Sequence, residues 1–151
     1  MRKDWDEYFM DFAILAAARS GCLSRQVGCV IVKDNRVIAT GYNAAPIGIS
    51  ECVNRGYCLR QGCESGSNLG YCYAVHAEQN AITQCAKYGI SCLGASIYAT
   101  TQPCATCAKL IINSGIKEVI YLEPYPDELG LKIFDAAGIT VRQYTRNLQG
   151  L

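Results

Sequence analysis

The stretch "GASIYATTQPCATCAKLIINSGIKEVIYL", residues 94–122, decides the fold. "GASIYAT" and "KEVIYL" are short apolar runs with β-branched and aromatic side chains, which read as strands. Residues 104–114 between them carry apolar side chains at helical intervals, and Gly115 fits the helix stop. A strand–helix–strand run implies a crossover, with the two strands parallel and the helix packed on the sheet. The alternation continues with a helix over 127–137, a stop at Gly138 and a last strand "ITVRQY". The tail "TRNLQGL" is peripheral.

Toward the N-terminus, residues 76–88 read as another helix. "VGCVIVK" and "RVIATGYN" are strands separated by the turn "DN", hence a hairpin. Residues 5–20 form a first helix in this reading. Asp4 and Glu7 have capping-box spacing, and Gly21 fits the end. Residues 44–72 differ: they are rich in Gly, Ser, Asn and Cys, with little periodicity. So long a loop in a compact domain is usually functional or pinned. No internal repeat occurs, and 1–151 reads as one α/β domain with 44–72 as a Cys-rich insertion.

Half of the 151 residues are apolar, 18% are charged and the formal net charge is +1. That composition is globular and offers no broad basic surface for a nucleic-acid backbone. No apolar run approaches transmembrane length, and "MRKDWDEYFMDF" lacks an export signal. The expectation is a cytoplasmic protein in a reducing compartment. Its ten cysteines then read as thiols or metal ligands rather than bridges. Cys29 and Cys85, inside apolar strand and helix patterns, read as core.

Cys104 and Cys107 lie three apart at a helix start, so both project from one face. Pro103 before them suits a first helical position. The positive end of the helix favours thiolates. His76, the only histidine of the chain, begins another helix and supplies a neutral imidazole. Three such ligands leave a fourth zinc position to water, the form of catalytic sites. Two thiolates cancel the charge of the divalent metal, so water activated there is a good nucleophile. Glu78, two residues beyond His76, is placed to carry its proton to a leaving amine. A C-x-x-C alone also suits a redox pair or a structural zinc knuckle, and a lone histidine suits surface or core. Together, H-x-E followed by P-C-x-x-C is the signature of zinc nucleobase deaminases.

At these residues the chain resembles the cytidine deaminase superfamily, and more narrowly the deoxycytidylate (dCMP) deaminase family. The resemblance rests on "VGCVIVKDNRVIATGYNAAP", "HAEQNAI" and "TTQPCATCAKLIINSGIKEVIY", and spans roughly residues 5–145. Ala44 stands where glycine usually follows "GYN". The resemblance implies a three-layer αβα fold around a mixed five-stranded sheet. It implies zinc-dependent hydrolysis of dCMP to dUMP and ammonia, supplying dUMP for dTTP synthesis. The metal ligands fall on His76, Cys104 and Cys107, and the proton shuttle on Glu78. Asn43 matches a residue near sugar and base, and Tyr125 one near the nucleotide. Arg25 is a candidate for the phosphate, with a solvated surface cation as the other reading. Family members are commonly hexamers activated by dCTP, with magnesium, and inhibited by dTTP. No nucleic-acid or membrane partner is implied.

Some dCMP deaminases carry a second, structural zinc in the region of the long loop. Cys22, Cys52, Cys58 and Cys72 fall at the corresponding places, with Cys63 a rival to Cys58. Four thiolates would close a tetrahedral site and order a Gly/Ser-rich loop. Free thiols, or a disulfide formed on oxidation, are the other readings. Two functional alternatives stand beside dCMP deamination: a deaminase of another cytosine nucleoside or nucleotide, and a zinc-stabilised binding module without turnover. The spacing does not separate ribose from deoxyribose.

Overall fold

The computed structural model describes residues 1–146. Helix α1 spans Trp5–Ala17, and its N-cap Asp4 accepts a hydrogen bond from the Glu7 amide at 2.8 Å. The helix stops three residues short of the expected end. Beyond it, the Ser20 hydroxyl donates to the Asn43 carbonyl at 2.9 Å and accepts from the Cys22 amide at 3.2 Å. Strands β1 (Gly28–Lys33) and β2 (Arg36–Tyr42) form the expected hairpin. Asp34 and Asn35 both take left-handed φ, 51° and 56°, as a two-residue turn with the right twist requires.

The remaining elements are α2 (Cys52–Arg55), α3 (Ala77–Tyr88), β3 (Ser96–Thr101), α4 (Ala105–Asn113), β4 (Glu118–Glu123), α5 (Leu129–Ala136) and β5 (Thr140–Gln143). The sheet order is β2-β1-β3-β4-β5. β3 pairs antiparallel with β1 and parallel with β4, and β4 pairs parallel with β5. The sheet is therefore mixed, with its parallel half where the sequence alternates strand and helix.

Alternation along the strands gives the sheet two apolar faces. Val30, Val32, Tyr98 and Ile120 face α1 through Phe9, Met10 and Ala13. Cys29, Ile31, Ile97, Ala99 and Val119 face the other way, onto Ala81 and Cys85 of α3, Ile111 of α4 and Phe134 of α5. These are the three αβα layers. Two glycines set how closely the helices approach. A Cβ on Gly28 would lie 2.2 Å from the Ala13 carbonyl oxygen in α1, and one on Gly41 would lie 2.0 Å from the Ala77 carbonyl oxygen in α3. Arg142 of β5 ties the sheet edge to α1, with ion pairs to Asp6 and to Glu118 (3.0 Å).

The excursion from 44 to 75 holds only α2 and a 3₁₀ turn at Leu69–Tyr71. An isolated antiparallel bridge, Ala44–Val75, fastens its two ends together. Ala44 is buried in that bridge, and its φ is not positive, so its methyl group carries no backbone strain. Among the described residues, no helix is long and apolar enough to cross a membrane.

Candidate metal centre and active site

Four side chains meet where two helices begin. His76 is the N-cap of α3, and Glu78 lies in its first turn. Cys104 is the N-cap of α4, and Cys107 lies in its first turn. The sequence reading put Pro103 at the first helical position, but Cys104 caps the helix itself, so Pro103 stands one residue outside. The Gln79 carboxamide accepts from the His76 amide at 2.8 Å and fixes the cap. The Ala44–Val75 bridge holds the preceding strand of chain, and the Asn80 carboxamide donates to the Tyr42 carbonyl at 2.6 Å. α3 is thus registered against the end of β2, while α4 is carried by β3.

The ligand atoms of His76, Cys104 and Cys107 lie within 4.8 Å of one another. His76 Nδ1 is 3.6 Å from Cys104 Sγ and 3.3 Å from Cys107 Sγ. Tetrahedral zinc, with Zn–S about 2.3 Å and Zn–N about 2.0 Å, separates sulfur from nitrogen by about 3.6 Å. The triad therefore fits zinc in donor type and in spacing. The Glu78 carboxylate is 3.5 Å from Cys107 Sγ, buried, and outside the ligand group.

The electrostatics are those of a site built for a cation. Cys104 is held down to about 4, first by the hydrogen bond from Cys107 and then by His76. Cys107 is pushed up by its bond to Cys104, by burial and by Glu78. The opposite shifts of Cys104 and Cys107 both arise chiefly from the contact between the two sulfurs. A divalent cation between them would favour the anionic form of both. His76 is raised, chiefly by its bond to Cys104. Burial raises the Glu78 carboxyl above its ordinary range.

The three expected substrate residues also come together. The Arg25 guanidinium sits 5.5 Å from the centre of the Tyr125 ring. Asn43 Nδ2 donates to the Arg25 carbonyl at 2.7 Å, and Asn43 Oδ1 accepts from the Val27 amide at 2.9 Å. Asn43 therefore shapes the 25–27 segment through both ends of its carboxamide. Sequence reasoning missed Gln102, buried beside Pro103, and Thr100, whose hydroxyl accepts from the Gly28 amide at 3.0 Å. Thr100, a polar residue inside an apolar strand, gave a signal, and Gln102, just past the strand, gave none.

Cys22, Cys52, Cys58 and Cys72 line one small pocket with Glu51 and Arg55. They do not meet as tightly as the His76 triad. Cys63 is not among the lining residues and accepts from Asn68 Nδ2 at 3.6 Å. Backbone amides point at two of the pocket sulfurs: Ser24 and Arg25 at Cys22 (3.4 and 3.5 Å), and Arg60 at Cys58 (3.4 Å). Arg55 donates to Cys52 at 3.1 Å. Tyr57 and Tyr71 of the excursion are exposed.

A mixed αβα sheet with a His/Cys/Cys triad across two helix starts defines a cytidine deaminase-like protein. Residues 3–123 match the family described as the cytidine and deoxycytidylate deaminase zinc-binding region, and the chain belongs to it. It is 46% identical over 146 residues to the deoxycytidylate deaminase of Saccharomyces cerevisiae, covering 96% of this chain and 46% of that protein. With the human deoxycytidylate deaminase it shares 39% identity, covering 93% of this chain and 80% of that one. The chain thus spans about half the length of the yeast relative. Among solved structures, the dCMP deaminase of cyanophage S-TIM5 in complex with dCMP and dUMP superposes with a TM-score of 0.81 at 29% identity, covering 95% of this chain and 99% of that one.

Proposed function

We propose that this protein is a zinc-dependent hydrolase that converts dCMP and water to dUMP and ammonia. The observation that carries the reading is a buried carboxylate, Glu78, 3.5 Å from a His76/Cys104/Cys107 triad whose spacing fits zinc. Relatives named deoxycytidylate deaminases, matched over nearly all of this chain, and a solved relative in complex with dCMP and dUMP, support the substrate. Zinc, when bound, supplies Lewis acidity that lowers the pKa of water. His76, Cys104 and Cys107 hold it. The starts of α3 and α4 bring the positive ends of two helix dipoles to the triad, where they favour negative charge. Glu78, kept from bulk water, takes a proton from the attacking water and returns it to the C4 amine as that group leaves. In this reading Tyr125 and Arg25, stacked at 5.5 Å, take the 5′-phosphate.

The same reading gives Cys22, Cys52, Cys58 and Cys72 a second, structural zinc. The amides aimed at Cys22 and Cys58 support it, because N–H donors are the usual outer partners of metal thiolates. The pocket favours Cys58 over Cys63. Assembly as a homo-hexamer in the cytoplasm, activation by dCTP with magnesium and inhibition by dTTP are carried from the family resemblance. Rate curves against dCMP that coincide with and without dCTP would remove the regulation.

The deciding experiment follows the ultraviolet change from cytosine to uracil with dCMP, dCTP and deoxycytidine side by side, together with zinc content. Turnover of dCMP with zinc bound is expected. Turnover of another cytosine compound instead moves the substrate. Bound zinc with no turnover on any of them leaves a binding module.

A further inference from the structure

The β4–α5 turn, which carries Tyr125, is bonded at two points by the Gln102 side chain, while Asp127 Oδ1 accepts from the Leu129 amide at 2.9 Å where α5 begins. Gln102 lies between the end of β3 and Pro103, two residues before Cys104, and is buried. Its amide donates to the Glu123 carbonyl at 2.8 Å, extending the β3–β4 ladder by one step. Its Oε1 accepts from the Tyr125 amide at 3.3 Å, and its Nε2 donates to the Asp127 carbonyl at 3.2 Å. Three bonds from one residue thus reach from the last residue of β4 across the turn to Asp127. Behind the turn, a Cβ on Gly130 would lie 2.7 Å from the Pro103 carbonyl oxygen, so the start of α5 rests on the same segment. The Tyr125 ring in turn carries the Arg25 guanidinium.

We infer that Gln102 is a positioning residue for the 5′-phosphate side of the substrate, fixing the Tyr125–Arg25 pair relative to Cys104. The inference rests on the dCMP reading above. A buried carboxamide can bridge an N–H and a C=O at once, because it holds a donor and an acceptor at fixed separation. Leucine supplies neither, and glutamate supplies the acceptor for Tyr125 while losing the donor for Asp127. The turn would then be free to shift while Cys104, held by α4, stays in place.

The test compares wild type, Gln102→Leu and Gln102→Glu with dCMP and with deoxycytidine, which lacks the phosphate. KM for dCMP is expected to rise about tenfold in Gln102→Leu, with kcat within about threefold, on the scale of lost hydrogen bonds. Deoxycytidine kcat/KM and zinc content should stay near wild type, and Gln102→Glu should recover part of the KM loss. Equal losses on both substrates, or unchanged KM for dCMP, overturn the inference. Amide hydrogen exchange at Tyr125 is the readout independent of turnover: at least tenfold faster exchange in Gln102→Leu is expected, and unchanged exchange overturns the clamp. If wild type consumes neither compound, the dCMP reading fails, and the phosphate-positioning role fails with it. The exchange rates then decide only whether Gln102 holds the turn.

Discussion

Replacing Gly41 by alanine should damage the site from a distance. The new Cβ would lie 2.0 Å from the Ala77 carbonyl oxygen and 2.8 Å from the Ala81 amide nitrogen. Both are helix backbone and cannot rotate away. A relaxed contact is about 3.5 Å, so the first turn of α3 must lift by about 1.5 Å. Overpacking of this kind costs about 1–3 kcal/mol, or about 2–4 °C of melting temperature per kcal/mol at this chain length. The displaced turn begins at His76 and contains Glu78, while Cys104 and Cys107 ride on α4 and stay. A misplacement of about 1 Å in a catalytic group is worth roughly a hundredfold in rate. Gly28→Ala is the control. Its Cβ would lie 2.2 Å from the Ala13 carbonyl and 2.3 Å from the Ala17 amide, an equally close approach on the face opposite the triad. Thermal melts, zinc content and kcat on both variants decide the matter. Comparable destabilisation is expected, with zinc and activity lost mainly in Gly41→Ala. Equal zinc and equal activity in the two variants would refute the reasoning.

Glu78→Gln should keep its zinc and lose at least a hundredfold in kcat, read by metal analysis and the ultraviolet assay together. Cys58→Ser should remove about one zinc per chain, whereas Cys63→Ser should remove none; equal zinc in both would dissolve the loop site. The Arg142 guanidinium beside Asp6 holds its carboxyl below the usual carboxylate range. A depressed folded pKa gives stability that is present above the unfolded value and is lost as pH falls through the folded one. Urea melts of Asp6→Asn should therefore show a weaker loss of stability than wild type below about pH 4. The difference should be about 1 kcal/mol or less, because the pair is part-exposed.

The parallel half of the fold was readable because residues 94–122 alternate period and end at glycines. Gly115 and Gly138 do take left-handed φ, 85° and 72°, just past their helices. The triad was readable because few side chains ligate zinc and their spacing is narrow. What was misread at α4 is instructive: serine, threonine, aspartate and asparagine are the expected caps, so a cysteine that is both cap and candidate ligand gave no signal. Gln102 was invisible for another reason. Its partners are main-chain groups at 123, 125 and 127, and no local periodicity records a bond made across that distance. Gly28 and Gly41 looked like ordinary strand positions, since alternation says which face a residue takes and not how near a helix comes.

The Ala44–Val75 bridge has a consequence for chain length. Its two hydrogen bonds, 3.2 and 2.8 Å, hold the ends of the excursion side by side. The chain in between can therefore lengthen, shorten or be replaced without moving His76. Each doubling of its length adds only about 0.6 kcal/mol of closure entropy. The base of the excursion is closed by main chain, independently of which side chains fill the segment between.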